Sequence, residues 1–554
     1  MRNSSISRLR TLSVTPPPEP EVSERCIPYT AIPHSSKLFL DYLFHFQKVS
    51  EFYPRPANRN WLTDEAKRVE YDPERRARVA AVLERQNAAF GVGEKAQQSL
   101  RRFREGAVAI VTGQQVGLFG GPLYSLLKAA SVLNAAEELS RAGVPAVAVF
   151  WLATEDHDLA EIDHALFPAG PGQLRELRSS SRGQRNAPVG AVRFSSEIEK
   201  LAEEAAALLG DSQAADDLKA SYRSGETYGS AFGKLFAQIF RNHGLIFLDP
   251  LDPELRQIAA PIYSQVLESA EALDRELLAR GKRLREAGYH EQVKVTAEST
   301  LLFSLSGGER TAIHRANGGF LIGAQRVGKD ELLARVRNQP HEFSPNALLR
   351  PVVQDYLLPT VAYFGGAAEV AYFAQSAVVY QRLLARVTPI LSRLSATLVN
   401  QRMQKLLKRY RLRITDLFAG AENLKQLLGS RVLPEGLHDA LDVTSDAIRE
   451  NIEKMQDALQ RLEPSLVPAA EKAARKMKYQ VERLRTKAAR AELRRDQQLE
   501  RDASELIAGL YPAKTLQERE LAGIAMLAEH GPDLLGRFIE AAKAECGAHQ
   551  VIQL

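Results

Sequence analysis

Residues 107–158 constrain this chain more than any other stretch. They open on Ala-Val-Ala-Ile-Val-Thr and break at Gly113-Gln114-Gln115 and Gly120-Gly121-Pro122. Residues 125–139 then carry apolar side chains at helical spacing, Gly143 and Pro145 stop the run, and a second apolar stretch fills 146–152. An apolar run without alternation fits a parallel strand buried on both faces, and Pro122 suits the first turn of a helix. A strand–helix–strand unit of this kind predicts an α/β fold with a parallel sheet. One strand end carries Thr112, Gly113, Gln114 and Gln115, and the other Glu155, Asp156, His157 and Asp158. Open α/β sheets bind ligands at such ends, so these residues predict an enzymatic site.

At 554 residues the chain exceeds one ordinary core, and two or three modules are expected. No apolar run reaches the roughly 18–20 residues of a membrane span. Residues 1–24 are rich in Ser, Arg and Pro and lack the apolar middle of a secretory signal, so they read as a mobile tail and the expected setting is cytoplasmic. Cys26 and Cys546 form neither a metal pattern nor a redox pair. The net charge of +5 is local: residues 471–501 hold 11 Lys/Arg against 5 Asp/Glu, and the remainder is close to neutral. A basic segment suits nucleic acid or an acidic nucleotide, or is simply a solvated helix face.

The core is expected over 25–395, helical at first. Leu245-Ile246-Phe247-Leu248 reads as a third strand ended by Asp249-Pro250. Two insertions interrupt the core. Residues 165–243 read as mainly helical. Residues 290–345 read as β-rich, with short strands at 293–295, 301–305, 311–314 and 320–322 and turns at Gly307-Gly308 and Asn317-Gly318-Gly319. Residues 396–505 are poor in aromatics. Ile448, Ile452, Met455, Leu459 and Leu462 step by 4, 3, 4, 3, and Met477, Val481, Leu484, Ala488 and Ala491 repeat those steps. That is the seam of a coiled coil, and Pro464 and Pro468 mark the fold-back of an antiparallel helical arm. Two short seams predict pairing with a second copy. Residues 506–554 regain mixed composition and are expected to return to the core.

Three clusters carry candidate chemistry. In the first, Gly113, Gly117 and Gly121 allow close backbone approach, and the following helix N-terminus suits a phosphate or carboxylate. Thr112, Gln114, Gln115, Tyr124 and Lys128 belong with it. The spacing is neither a Walker loop nor the dinucleotide fingerprint. The second cluster is Glu155, Asp156, His157 and Asp158, with Glu161, Asp163 and His164 beyond. It reads as general-base chemistry through His157, as a divalent-metal site, or as acids favoured at a helix N-terminus. The third joins Arg350, Gln354 and Asp355 with Gly365, Gly366, Glu369, Tyr372 and Gln375. Arg350 suits a carboxylate, and Gln354 and Asp355 suit an ammonium or a sugar hydroxyl. A polar network linking two domains is the alternative. Asp249 closes the set of candidate binding residues.

Thr-Gly-Gln-Gln-x-Gly-Leu-Phe-x-Gly-Pro-Leu-Tyr from Thr112 and Val-Phe-Trp-x-Ala-x-Glu-Asp-His-Asp ending at Asp158 resemble the bacillithiol biosynthesis cysteine-adding enzyme family. Gly288-Tyr-His-x-Gln-Val, Arg350-Pro-x-x-Gln-Asp-x-x-Leu-Pro and Tyr511-Pro-x-x-x-x-Gln-Glu-Arg519 resemble it in order and spacing. The resemblance spans most of the chain. It implies a Rossmann-like core with inserted connecting segments and a coiled-coil dimerisation arm. It also implies a ligase that joins cysteine to glucosaminyl malate in the last step of bacillithiol synthesis. Amide formation from a free acid needs activation, so ATP with Mg2+ is the expected cosubstrate and no protein-held metal is expected. Gln114 and Gln115 would stabilise developing oxygen charge, and His157, oriented by Asp156 or Asp158, would take the proton of the amine. The competing readings are a nucleotidyltransferase or synthetase-like enzyme on another small acid, and a nucleic-acid-binding protein using the basic arm. The lack of stacking aromatics beyond Tyr479 argues against the latter.

Overall fold

The computed structural model describes residues 25–183, 186–305, 309–543 and 547–554. The expected tail at 1–24, the Gly307-Gly308 turn and Cys546 lie outside the described residues.

Five parallel strands form the centre: β1 (Val108–Gln114), β2 (Ala146–Leu152), β3 (Leu245–Leu248), β4 (Thr360–Gly365) and β5 (Ile390–Ser392). Their spatial order is β5-β4-β1-β2-β3, so the order reverses between β1 and β4. The apolar runs form strands because both faces are covered: every residue of β2, β3 and β4 is buried. β1 and β2 pair without a shift from Val108↔Ala146 to Gln114↔Leu152, which brings their carboxyl ends level. The free edge of β3 is closed by side chains. Asn87 donates to the Phe247 carbonyl at 2.7 Å and accepts from its N–H at 2.9 Å, and Gln86 treats Asp249 the same way.

Six helices frame the crevice and the arm: α1 (Tyr124–Arg141), α2 (Pro253–Glu268), α3 (Arg350–Leu357), α4 (Ala367–Leu384), α5 (Glu435–Leu462) and α6 (Val467–Arg495). α1 links β1 to β2, and α4 links β4 to β5.

The first insertion opens with an antiparallel hairpin, His164–Pro168 against Leu174–Arg178, before its three helices. The second is a five-stranded antiparallel sheet that includes Gln325–Gly328 and Phe343–Pro345, which no alternation marks. Residues 293–295 do not join it as a strand. Instead the Val293 N–H donates to the Gln375 side-chain oxygen at 2.9 Å, and the Gln375 amide donates to the Val293 carbonyl at 2.8 Å. Gln375, expected at a binding site, is a surrogate strand partner inside the protein.

The arm is a helical hairpin of α5 and α6 turned at Pro464–Leu466, with a further helix, Ala421–Arg431, packed on the base of α6. The expected seam of α6 is displaced. Ala489 and Leu493 are buried because Gly429 crosses so close that a Cβ there would lie 2.4 Å from the Ala489 carbonyl oxygen. Ile452 is 6% exposed, whereas Leu462 is 77% and Leu484 57% exposed, with Met455 and Met477 also outside.

His549–Gln553 returns to the body. It lies between Ala396–Val399 (parallel) and Cys26–Ile27 (antiparallel). No helix among the described residues is long and apolar enough to cross a membrane.

Candidate functional site at the carboxyl ends of the central strands

The strand order reverses between β1 and β4, and their carboxyl ends, with the end of β2 beside them, are the crevice position at which open α/β sheets bind ligands. Its floor is a buried ion pair. Lys128, from the second turn of α1, lies 2.6 Å from Glu369 of α4. Its ammonium also donates to the Gly113 carbonyl at 2.7 Å and to the Gln114 side-chain oxygen at 3.0 Å. Three donors meet three acceptors, so Lys128 has nothing left for a ligand. Burial drags its pKa down to about 8 against the pull of Glu369. Burial pushes the Glu369 carboxyl up, but Lys128, Tyr363 and the Gly366 N–H together outweigh it and hold it below its ordinary value. Tyr363 donates to Glu369 at 2.6 Å and the Gly366 N–H at 2.7 Å. Gly365 permits that fold-back, since a Cβ there would sit 2.7 Å from the Glu369 Cβ.

The ion pair orients the glutamines. Lysine only donates, so the Gln114 oxygen must face Lys128. That turns its amide NH2 to the Gln115 oxygen at 2.7 Å and the Tyr124 hydroxyl at 2.9 Å. Carboxylates accept, so the NH2 of Gln115 faces Asp156, at 3.2 Å, and Glu161. A one-way chain of donors thus runs from Lys128 through both glutamines to two carboxylates at the rim. Burial first, then Asp156 and Asp158, raises the Glu161 carboxyl above its ordinary value.

His157 stands exposed on the same rim, and its Nδ1 lies 3.1 Å from a guanidinium nitrogen of Arg310. Arg310 is fixed by the Pro345 carbonyl at 2.8 Å and stacks on Phe303 at 3.8 Å. Arginine cannot accept, so Nδ1 must. The proton of the neutral ring then sits on Nε2. The Asp156 carboxylate lies 3.4 Å from the same Nδ1, so the expected Asp156–His157 neighbourhood is present, and Arg310 is a second partner on that nitrogen. Arg310 carried no signal in the sequence, because it arrives from the second insertion.

Several expectations are corrected. The turn after β1 is not an anion seat. Residues 116–121 are buried, and the N–H groups of Gly117, Gly120 and Gly121 are spent within the turn on the carbonyls of Gln115, Gly117 and Leu118. The Leu123 N–H donates to the Leu521 carbonyl at 2.9 Å. Gly117 and Gly121 are glycines for packing: a Cβ on Gly117 would lie 2.9 Å from the Gly121 Cα, and Gly121 has φ +69°. Thr112 donates to the Phe364 carbonyl at 2.8 Å, tying β1 to β4. Gly113 gives its carbonyl to Lys128. Glu155 turns inward to Arg256 of α2 at 3.2 Å, and Asp249 accepts from Thr154. Asp158 caps the short helix Leu159–Ile162. Gln354 donates to Asp355 at 2.9 Å, and Tyr380 closes the other oxygen of Asp355, so both lie inside the protein.

Gln114, Gln115, Tyr124, Asp156, His157, Gly366, Glu369, Arg350 and Tyr372 do converge on the crevice. Arg350 donates to Gln354 and to the Tyr372 hydroxyl, each at 3.0 Å, with its guanidinium 5.4 Å from the Tyr363 ring. A separate cleft of about 280 Å³, lined by Pro168, Gly172, Asn400, Met403, Glu505 and His530 among others, shares none of these residues.

Two family models together match the chain from residue 23 to residue 554. Residues 23–394 match the N-terminal Rossmann-like domain of bacillithiol biosynthesis BshC, and residues 396–554 match its C-terminal coiled-coil domain. The chain belongs to the BshC family. A relative from Koribacter versatilis is 46% identical over 96% of this chain and 99% of its own length. One from Solibacter usitatus is 38% identical over 95% and 99%, and one from Salinibacter ruber 34% over 93% and 96%. Each is named "Putative cysteine ligase BshC". Both BshC modules are therefore present, and the converging residues named above all lie in the first.

Proposed function

We propose that the chain is a ligase of bacillithiol biosynthesis that joins the carboxyl of cysteine to the amine of glucosaminyl malate, with the acid activated by ATP and Mg2+. The observation that carries this reading is the donor chain from Lys128 through Gln114 and Gln115 to Asp156 and Glu161, at the sheet's reversal point in a member of a family whose relatives are named cysteine ligases. An ammonium substrate fits exposed carboxylates, and one of them must take its proton before the nitrogen can attack. Glu161, with its raised carboxyl, and Asp156 suit that step. The amine then forms the C–N bond as the C–O bond to AMP or phosphate breaks. His157 Nε2–H stabilises the oxygen charge that develops, and holding both substrates in one crevice supplies much of the rate.

The residues fit a nucleotide only in part. The N–H groups of the glycines in the turn after β1 are engaged within it, so the N-terminus of α4 at Ala367 and Ala368 is the better backbone seat for phosphate. A homodimer through the exposed apolar faces of α5 and α6, and a cytoplasmic setting, belong to the same proposal.

The test is to supply purified protein with cysteine, glucosaminyl malate and Mg-ATP and to follow thiol product together with AMP or ADP. Thiol product without nucleotide consumption overturns ATP activation. No thiol product with any activated cysteine donor overturns the ligase reading.

A further inference from the structure

The Gln517-Glu518-Arg519 run is not used by the reaction above. Its first two side chains are 2% and 1% exposed and fully engaged. Gln517 accepts from the Leu398 N–H at 2.8 Å and donates to the carbonyls of Leu398 at 3.0 Å and Gly509 at 2.7 Å. Glu518 takes both guanidinium arms of Arg393, at 2.8 and 3.1 Å, the Ser395 hydroxyl at 2.9 Å and the Ala396 N–H at 2.9 Å. These two residues pin the C-terminal segment to the core. The third, Arg519, is exposed, and among the described residues its guanidinium makes no hydrogen bond or ion pair.

Its position is set, not random. The guanidinium lies 5.9 Å from the ring of Tyr124, and that of Arg393 lies 5.3 Å from the same ring. The hydroxyl of Tyr124 accepts from Gln114, and no acceptor among the described residues takes its proton. An unpaired guanidinium therefore lies beside the ring of a tyrosine whose hydroxyl has a proton to give, at the mouth of the crevice. The carboxylates in their field, Glu520 near Arg519 and Glu161 and Glu369 near Tyr124, are not bonded to either group.

We infer that Arg519 and Tyr124 form a clamp for an anionic oxygen group, carboxylate or phosphoryl, of a substrate bound in the crevice. This rests on the ligase reading for the substrate's identity but not for the binding itself. An amine substrate that also carries a carboxylate would then lie between two complementary ends. Its ammonium would face Asp156 and Glu161, and its acid would face Arg519. A forked guanidinium pairs with a carboxylate in two parallel bonds, which a lysine cannot copy.

The experiment compares wild type with Arg519→Met, Arg519→Lys and Tyr124→Phe in the full chain. Calorimetric titration with malate, cysteine and inorganic phosphate reads binding without turnover, and KM for each substrate is measured alongside. Arg519 is exposed, so an unchanged melting temperature is expected. Arg519→Met should weaken one anion by about 10- to 100-fold, the worth of a charge-assisted pair, with little recovery in Arg519→Lys and a smaller loss in Tyr124→Phe. Loss for malate and glucosaminyl malate identifies a carboxylate, and loss for phosphate and ATP identifies a phosphoryl group. Affinities and KM values in Arg519→Met all within twofold of wild type overturn the clamp. If wild type makes no product, the ligase reading fails while the titrations still decide the clamp.

Discussion

At the junction of β1 and β4, Lys128, Glu369 and Tyr363 spend their hydrogen bonds within the protein around one ion pair, and Arg350 spends its own on Tyr372 and Gln354. A few residues beyond the end of β2, the side chains of Asp156, His157 and Glu161 hold one to three bonds each and keep capacity for more. Both regions are rich in charge, and both sit at the same edge of the sheet. The first is a scaffold that fixes which way two glutamine amides point. The second is where those amides deliver their direction. A charged cluster is thus not a site by composition alone; the unspent donors and acceptors mark where a ligand can bind.

That contrast can be broken from either side. The largest effect is expected at the rim. Asp156→Asn combined with Glu161→Gln should lower the rate of ligation by about 10²- to 10⁴-fold. Urea unfolding of the same variant should stay within about 0.5 kcal/mol of wild type, as for an exposed site. The scaffold should behave in the opposite way. Lys128→Met strands the Glu369 carboxylate and should cost about 3–5 kcal/mol in unfolding free energy. Adding Glu369→Gln should return part of that loss. A Lys128→Met protein that unfolds like wild type would erase the distinction.

The buried side also carries a pH test. His549 lies between the hydroxyls of Ser395 and Thr397, each at 2.7 Å, and burial pushes its pKa down to about 4. A histidine kept neutral in the fold charges more readily when unfolded. Stability from this site is therefore present above pH 6.5 and is lost as pH falls toward 4, by about 3 kcal/mol at most. Melting curves between pH 7 and 4 should show that slope, and His549→Asn should flatten it. The smallest effect concerns Gln375. Gln375→Leu should cost about 1–3 kcal/mol of stability through the unpaired Val293 backbone and leave KM for every substrate unchanged.

The sheet was readable because a doubly buried strand leaves an unbroken apolar run, and β1, β2 and β3 all do. The residues of the crevice were readable as types, since glutamine pairs and clustered acids are unusual beside such strands. Their allegiances were not. Gly117 and Gly121 look like a phosphate turn, but the Leu521 carbonyl reaches that turn from some 400 residues later in the chain. Val293 looks like a strand residue, and its partner is a side chain on α4. The register of α6 is set by Gly429, from a helix outside the repeat. Arg310, the partner of His157 that the sequence did not mark, comes from the inserted sheet. Local pattern encodes periodicity and burial, whereas these four depend on contacts between distant segments.

A crystal structure of the chain with glucosaminyl malate tests the central claim most directly. The account predicts the sugar amine within about 3.5 Å of the Asp156 or Glu161 carboxylate, beside the Gln115 amide. Sugar density in the cleft lined by Pro168, Asn400 and Met403, with the crevice empty, would contradict it.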